Sequence, residues 1–305
     1  MLSDTKVRGA HLFTRPVTEI SEADLKDWLI DWNRSLKTKS NYHGLIHGVF
    51  AYAVKRGHLT TNPAVGSAPK GSRVKQARPE LRFLTETELE KAVKLAGAHG
   101  DVLTVAAGTG LRFGELSALW VSDVDRAHNR MRINKAWKRD GEDGEADTPA
   151  WLAKQLKPKH RMRGHHLGNP KTVKSRRTIT ISPAVASVLS KRVKGRAPDD
   201  FIFVTRTGLP LHHGDFYTHV WSKLMKKLEA DGIARFRFHD LRHTHVAWLV
   251  AGGAPLPHIQ ARLGHESITT TIDTYGHLLP AGDELISGII DTALGGGTIR
   301  PNGRP

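Results

Sequence analysis

Apolar positions recur with a helical period along most of this chain. Leu25, Trp28, Leu29 and Trp32 fall at i, i+3, i+4 and i+7 behind Ser21, a residue suited to cap, which predicts a helix over 22–36. A second helix is predicted over about 40–57, with Leu45, Val49, Tyr52 and Ala53 inward, Lys55 and Arg56 near its C-terminal end, and Asn62-Pro63 as the stop. Thr85 and Glu88 make a capping box that opens a helix reaching about Ala96. Further helices are predicted over 101–107, 183–193, 215–230 and 255–263. Strands are predicted over 130–137, 177–182 and 201–204. Near the end, Leu285, Ile286, Ile289, Ile290 and Leu294 form an apolar stripe on a short tail helix, which docks on its own core or on a neighbouring subunit. The pattern predicts a mainly α fold with a small antiparallel β-sheet, an α+β arrangement.

Composition turns this pattern into a domain plan. A length of 305 residues leaves room for two domains. Residues 1–66 read as a small helical module, and 67–80 as a Gly-, Pro- and Ser-rich linker carrying Lys70, Arg73, Lys75 and Arg78. Residues 81–305 form the larger domain with the tail helix. The 46 Lys and Arg outnumber the 30 Asp and Glu, leaving a net charge of +16, which implies a polyanionic partner. Nucleic acid fits best and a membrane surface less well, so the module is expected to face DNA and the basic strap to follow a phosphate backbone. There are no cysteines, hence no disulfides and no thiolate zinc site, which fits a reducing cytoplasm. With no signal peptide and no apolar run approaching about 18 residues, a soluble protein with no membrane partner is expected.

Candidate chemistry lies in three places. Gly108-Thr-Gly-Leu-Arg-Phe-Gly-Glu-Leu116 looks at first like a dinucleotide fingerprint, but its third glycine is one place late and no strand precedes it. What remains is Arg112 just after a glycine turn, with Glu115 three residues on as a supporting acid. A long polar insertion, 140–168, follows, and residues 151–200 hold thirteen Lys and Arg against two acids. Asn169 to Arg177 reads as a hairpin turn presenting Lys171, with Lys174 at its tip and Arg176 and Arg177 as further DNA contacts. Between Phe236 and Leu279, His239 and Arg242 share a helix face, and the apolar run Val246 to Val250 suits the opposite side. Gly264 then stands where a helix would end and presents His265, and Tyr275 follows ten residues on.

These groups suit attack on a phosphodiester. Charge gathering on the non-bridging oxygens can be gripped by planar guanidiniums from two segments, Arg112 and Arg242, with His265 hydrogen-bonding the phosphate. Tyr275 would be the nucleophile. An unperturbed phenol costs about 4 kcal/mol to ionise at neutral pH, nearby cations lower that cost, and a neutral His239 could accept the proton. A hairpin lysine would protonate the leaving 5′ oxygen. That chemistry needs no metal or other cofactor. The rival is a zinc site on His239 and His243, but Asp240 stands where a longer Glu base would be, and Arg242 would crowd a cation.

With GTGLRFGEL at 108–116, PKTVKSRRT at 170–178, HDLRH at 239–243, LGH at 263–265 and DTYGHLL at 273–279, the chain resembles the tyrosine recombinase (phage integrase) family over about 17–280. The resemblance implies Arg112, Lys171, His239, Arg242, His265 and Tyr275 as the catalytic set, supported by Glu115. It also implies a C-shaped clamp on double-stranded DNA attachment sites, a 3′-phosphotyrosyl link with a free 5′ hydroxyl, and rejoining within a homotetramer through a Holliday junction without ATP. An excisionase or DNA-bending accessory protein is a further implied partner. Two departures stand out. The extra N-terminal domain of many integrases is expected to be missing and the 1–66 core-type module to be N-terminally incomplete, and the 140–168 insertion exceeds the usual hairpin, which keeps Lys174 open as the alternative to Lys171. A non-catalytic DNA-binding protein and a type IB topoisomerase remain the competing readings.

Overall fold

The computed structural model describes residues 12, 14–69, 81–140, 148–170, 173–278, 287, 290 and 291. The chain divides into two compact units, Met1–Glu80 and Leu81–Pro305.

The first unit is built on α1 (Glu22–Asp31) and α2 (Leu36–Lys55). Ser21 opens α1 with a reciprocal box: its hydroxyl accepts from the Asp24 amide at 3.2 Å, and the Asp24 carboxylate accepts from the Ser21 amide at 2.8 Å. α1 ends at Asp31 rather than 36, because the Ser35 hydroxyl caps a new helix by accepting from the Thr38 amide. Leu25, Trp28, Leu29 and Trp32 are buried as the periodicity requires, with Trp28 and Trp32 stacked at 5.1 Å.

On α2 Ala53 is buried as expected, but the rest of the inward face is shifted by one position. Ile46, Phe50 and Ala53 are buried, whereas Leu45, Val49 and Tyr52 are 48%, 45% and 63% exposed. Both triplets run i, i+4, i+7 and lie about 100° apart around the helix, so periodicity alone does not separate them. Phe50 and Ile46 complete the cluster around the two tryptophans.

In the second unit α3 (Glu86–Ala96), behind the Thr85–Glu88 box, packs on α4 (Gly100–Thr109). Seven of the ten residues of α4 are buried and none is exposed, so it forms the centre of the core. The short helix α5 (Phe113–Leu116) follows, then the antiparallel sheet β1 (Val124–Asp125), β2 (Arg130–Ile133) and β5 (Arg177–Thr180), ordered β1-β2-β5 with Met131 opposite Ile179. The β2–β5 connection carries a second hairpin, β3 (Ala136–Arg139) paired with β4 (His165–Gly168), and between them the short α6 (Ala150–Ala153). Leu152 and Leu167 pack against Trp120 and Phe201, a small cluster that ties the insertion to the rest of the unit.

Strand 130–137 is broken at Asn134-Lys135. Lys135 turns inward to pair with Asp123 and lies 4.5 Å from the Trp120 ring, a buried cation held by a carboxylate and an aromatic face. Residues 201–204 form no strand and make only the isolated bridges Trp120–Phe201 and Val204–Pro210.

Helix α7 (Pro183–Val193) follows, with Val185, Leu189 and Val193 inward. The next stretch starts two residues before the expected 215, as α8 (His213–Phe216), a π turn over Tyr217–Trp221, and α9 (Ser222–Ala230). Then come α10 (Asp240–Ala251), α11 (Leu256–Leu263) and α12 (Ile268–Tyr275). Of the tail stripe, Leu285, Ile286, Ile289 and Leu294 lie outside the described residues.

Two tests follow from this packing. Phe50→Ala should destabilise the first unit by about 3–5 kcal/mol, while Val49→Ser should stay within about 0.5 kcal/mol, both read from hydrogen exchange in α1 and α2. The opposite ranking would restore the expected face. Gly264 closes α11 at φ +65°, where an added Cβ would meet the Ser175 Cα at 2.9 Å. Gly264→Ala should therefore cost at least about 1–2 kcal/mol in a denaturant melt of the full chain.

Candidate active site

Three backbone turns bring the candidate groups together. α4 ends at Gly110 in the left-handed conformation, which releases Leu111 and Arg112 at once. Arg112 sits at the N-cap of α5, so Glu115 lies back beneath it on the first turn. α11 ends at Gly264, also left-handed, and the next residue is His265. α10 starts after His239, which places Arg242 and His243 on its first turn.

Arg242 links these turns. It is 2% exposed, and its guanidinium donates to the carbonyls of Gly110 at 2.6 Å and Leu263 at 2.9 Å, and to His265 Nε2 at 2.9 Å. Since arginine has no acceptor, His265 Nε2 carries no proton in this contact, and its Nδ1–H donates to the Thr271 hydroxyl at 2.9 Å. Burial, then Arg242 and Arg112, push His265 down to about 4, so the ring is neutral near pH 7. Burial and the neighbouring Arg112 likewise lower Arg242 to about 9, which leaves it a cation at neutral pH.

Glu115 gathers two other arginines. Its carboxylate, 4% exposed, accepts from Arg112 Nη1 at 3.0 Å and from Arg177 Nη1 and Nη2 at 3.2 and 3.1 Å. Burial opposes its ionisation, but Arg177 foremost, with Arg112 and Arg242, holds it below the ordinary carboxylate value. Arg112 keeps 35% of its side chain open, so its outer N–H groups can reach an anion.

This arrangement corrects the reading of Arg177 as a DNA contact. Its side chain is only 6% exposed, and it is occupied by Glu115 and by the Arg262 carbonyl. Arg176 is exposed and donates to the Asn169 side chain. Lys174 donates to the Glu266 carbonyl at 2.9 Å, and Ser175 to that of Gly264 at 3.2 Å, which seats this turn beside His265. Lys171, Lys70, Arg73, Lys75 and Arg78 lie outside the described residues.

Tyr275 is 2% exposed among Val246, Val250, Ile259 and Leu263. Burial raises its phenol to about 12, while Arg242 and Arg112 pull the other way, so both cations act on its oxygen. The hydroxyl does not bond to His239, the acceptor expected from sequence. It lies 2.8 Å from His243 Nδ1. His239, at the exposed rim, meets His243 edge-on at 4.9 Å and is held to about 4 by desolvation, His243, Arg242 and Arg112. The contact that the sequence assigns to His239 is thus held by His243, the second histidine of HDLRH. Among the described residues no group of three His, Asp or Glu is arranged to hold a metal ion.

A family model described as the phage integrase family matches residues 82–281. A tyrosine recombinase XerC-like protein of Caldanaerobacter subterraneus subsp. tengcongensis is 24% identical over 298 residues, covering 90% of this chain and 71% of that one. The ICEBs1 integrase of Bacillus subtilis is 26% identical over 292 residues, covering 91% and 72%. The Tn1549 transposon integrase, solved in complex with a circular intermediate DNA, shares the fold with a TM-score of 0.70 at 20% identity, over 92% of this chain and 90% of that chain. With the family model spanning most of the second unit, and with recombinases and integrases matching nearly the whole length, the chain belongs to the phage integrase family and is a site-specific DNA recombinase of the tyrosine type.

Proposed function

We propose that Tyr275 attacks a scissile phosphate held by Arg112, Arg242 and His265, giving a 3′-phosphotyrosyl link and a free 5′ hydroxyl. The observation that carries this reading is Arg242, which ties the turn before Arg112 to His265 while acting electrostatically on the Tyr275 phenol. Among the described residues, Arg112, Arg177 and Arg242 outnumber Glu115, the carboxylate that pairs with the first two. That excess matches the charge that develops on phosphoryl oxygens in the transition state.

An incoming phosphate oxygen would compete for the Arg242–His265 contact. Freed from the guanidinium, His265 can carry its proton on Nε2 and donate it to the phosphate. Lys171 is assigned as the acid for the leaving 5′ oxygen, with Lys174 as the alternative, supported by the seating of its turn beside His265. Because the covalent link conserves the phosphodiester, strand rejoining needs no ATP.

The substrate is double-stranded DNA carrying attachment sites, with exchange in a homotetramer assisted by an excisionase or a DNA-bending protein. Residues 1–66 serve as the core-type DNA-binding domain, 67–80 as the basic linker and 81–305 as the catalytic domain. The high positive charge supports this, and the protein is expected to act at the nucleoid. No helix among the described residues is long and apolar enough to cross a membrane.

The decisive assay is adduct formation on a nicked suicide substrate bearing the recombination site. Wild type should form a covalent protein–DNA species that Tyr275→Phe abolishes, and Arg112→Ala should slow it by about 10²–10³-fold. Absence of adduct from wild type on its own site would refute the reading. Relaxation of any supercoiled plasmid without a defined site would favour topoisomerase-like activity instead.

Glu115 gives a separate test. Because its acid constant is depressed in the fold, its stabilisation is full above the unfolded carboxyl value of about 4.3 and is lost as pH falls through the folded value. Glu115→Gln should remove that part of the acid sensitivity and cost about 3 kcal/mol at pH 7, since two arginines lose their counter-ion. An unchanged acid-unfolding profile would contradict the assignment.

A further inference from the structure

The nucleophile's proton needs a destination, and the geometry offers one that the residue pattern did not. Tyr275 Oη and His243 Nδ1 are 2.8 Å apart, with their rings 5.6 Å apart and tilted. His243 is 8% exposed and Tyr275 2%, so bulk water has little access to this hydrogen bond. Among the described residues, His243 is the side chain bonded to this hydroxyl. His239 meets the same imidazole edge-on, with ring centroids 4.9 Å apart.

We propose that His243 is the proton acceptor for Tyr275, an inference resting on the reading of Tyr275 as nucleophile. In cleavage the Oη–phosphorus bond forms as the Oη–H proton passes to His243 Nδ1. The phosphorus–O5′ bond breaks, and the departing oxygen takes a proton from the hairpin lysine. In rejoining, the 5′ hydroxyl attacks, its proton returns to the lysine, and His243 returns its own to the phenol oxygen. Each proton and electron pair is accounted for, and His239 is left free to bond the phosphate at the rim.

The surroundings of His243 suit a base that must begin neutral. Asp240 and Arg242 flank it on α10, Arg237 lies just before the helix, His239 faces it at the cap, and Tyr275 faces it from α12. Burial, with Arg237 and Arg242, outweighs the pull of Asp240 and keeps the imidazole below its ordinary value. A neutral ring receives a proton most readily while the phenol oxygen is bonding to phosphorus. Asp240 then stabilises the imidazolium so formed.

The test is single-turnover adduct formation by the full chain on nicked DNA whose 5′ bridging oxygen is replaced by sulfur. This leaving group needs no acid, so the lysine drops out of the pH profile. In wild type the rate should rise with pH and level off once His243 is neutral. His243→Gly should be slower by about 10²–10⁴-fold and recover with added imidazole. His243→Gln, which keeps an acceptor for the phenol but cannot titrate, should lose the low-pH limb, and it serves should the glycine variant fail to fold. Wild-type rates and pH profile in His243→Gln would overturn the proposal, as would imidazole rescue confined to His239→Gly. Absence of adduct from wild type would instead strike at the nucleophile assignment itself.

Discussion

The site depends on one buried cation and the two helix ends it joins. A guanidinium that is 2% exposed is costly to bury unless its donors are met, and Arg242 meets them at the C-terminal ends of α4 and α11. Those ends carry unsatisfied carbonyls and the negative pole of each helix dipole, so they suit a cation. The same two ends turn through Gly110 and Gly264, which then deliver Arg112 and His265. Removing Arg242 would therefore release both arms of the site as well as one of its charges.

Around that link the charges are deliberately unequal. Glu115 holds Arg112 and Arg177 in place, and Arg177 in turn bonds the Arg262 carbonyl, carrying the ion pair to the end of α11. Arg177 is thus a brace and Arg112 the group that faces outward. The nearby imidazoles add no charge while they stay neutral, and the phenol stays protonated until a phosphate arrives. Such a site is preorganised in its cations and poised in its protons, which suits a reaction whose charge appears only in the transition state.

Much of this was legible along the chain. Gly264 could be placed as a helix terminus because a glycine after an apolar helical stretch has a single common use, and Arg112 followed from the same logic at Gly110. Other parts lay beyond one-dimensional pattern. The inward face of α2 depended on whether Phe50 or Tyr52 fits beside Trp28 and Trp32, a matter of shape. Arg177 looked like its basic neighbours because its partner Glu115 is 62 positions away. Strand 130–137 broke because Lys135 finds Asp123 beneath Trp120, a pairing that no period reveals. His243 reads along the chain only as a metal-ligand candidate because its partner, Tyr275, is 32 residues downstream.

The central claim is that scattered segments converge on a single phosphate, and the most direct measurement is a structure of the Tyr275→Phe chain on DNA containing its recombination site. The account predicts Arg112, Arg242 and His265 all donating to the non-bridging oxygens of one phosphate at about 2.7–3.1 Å, with the ring at position 275 facing that phosphorus. A DNA backbone whose nearest phosphate touches neither arginine, with Arg242 still committed only to Gly110, Leu263 and His265, would contradict it.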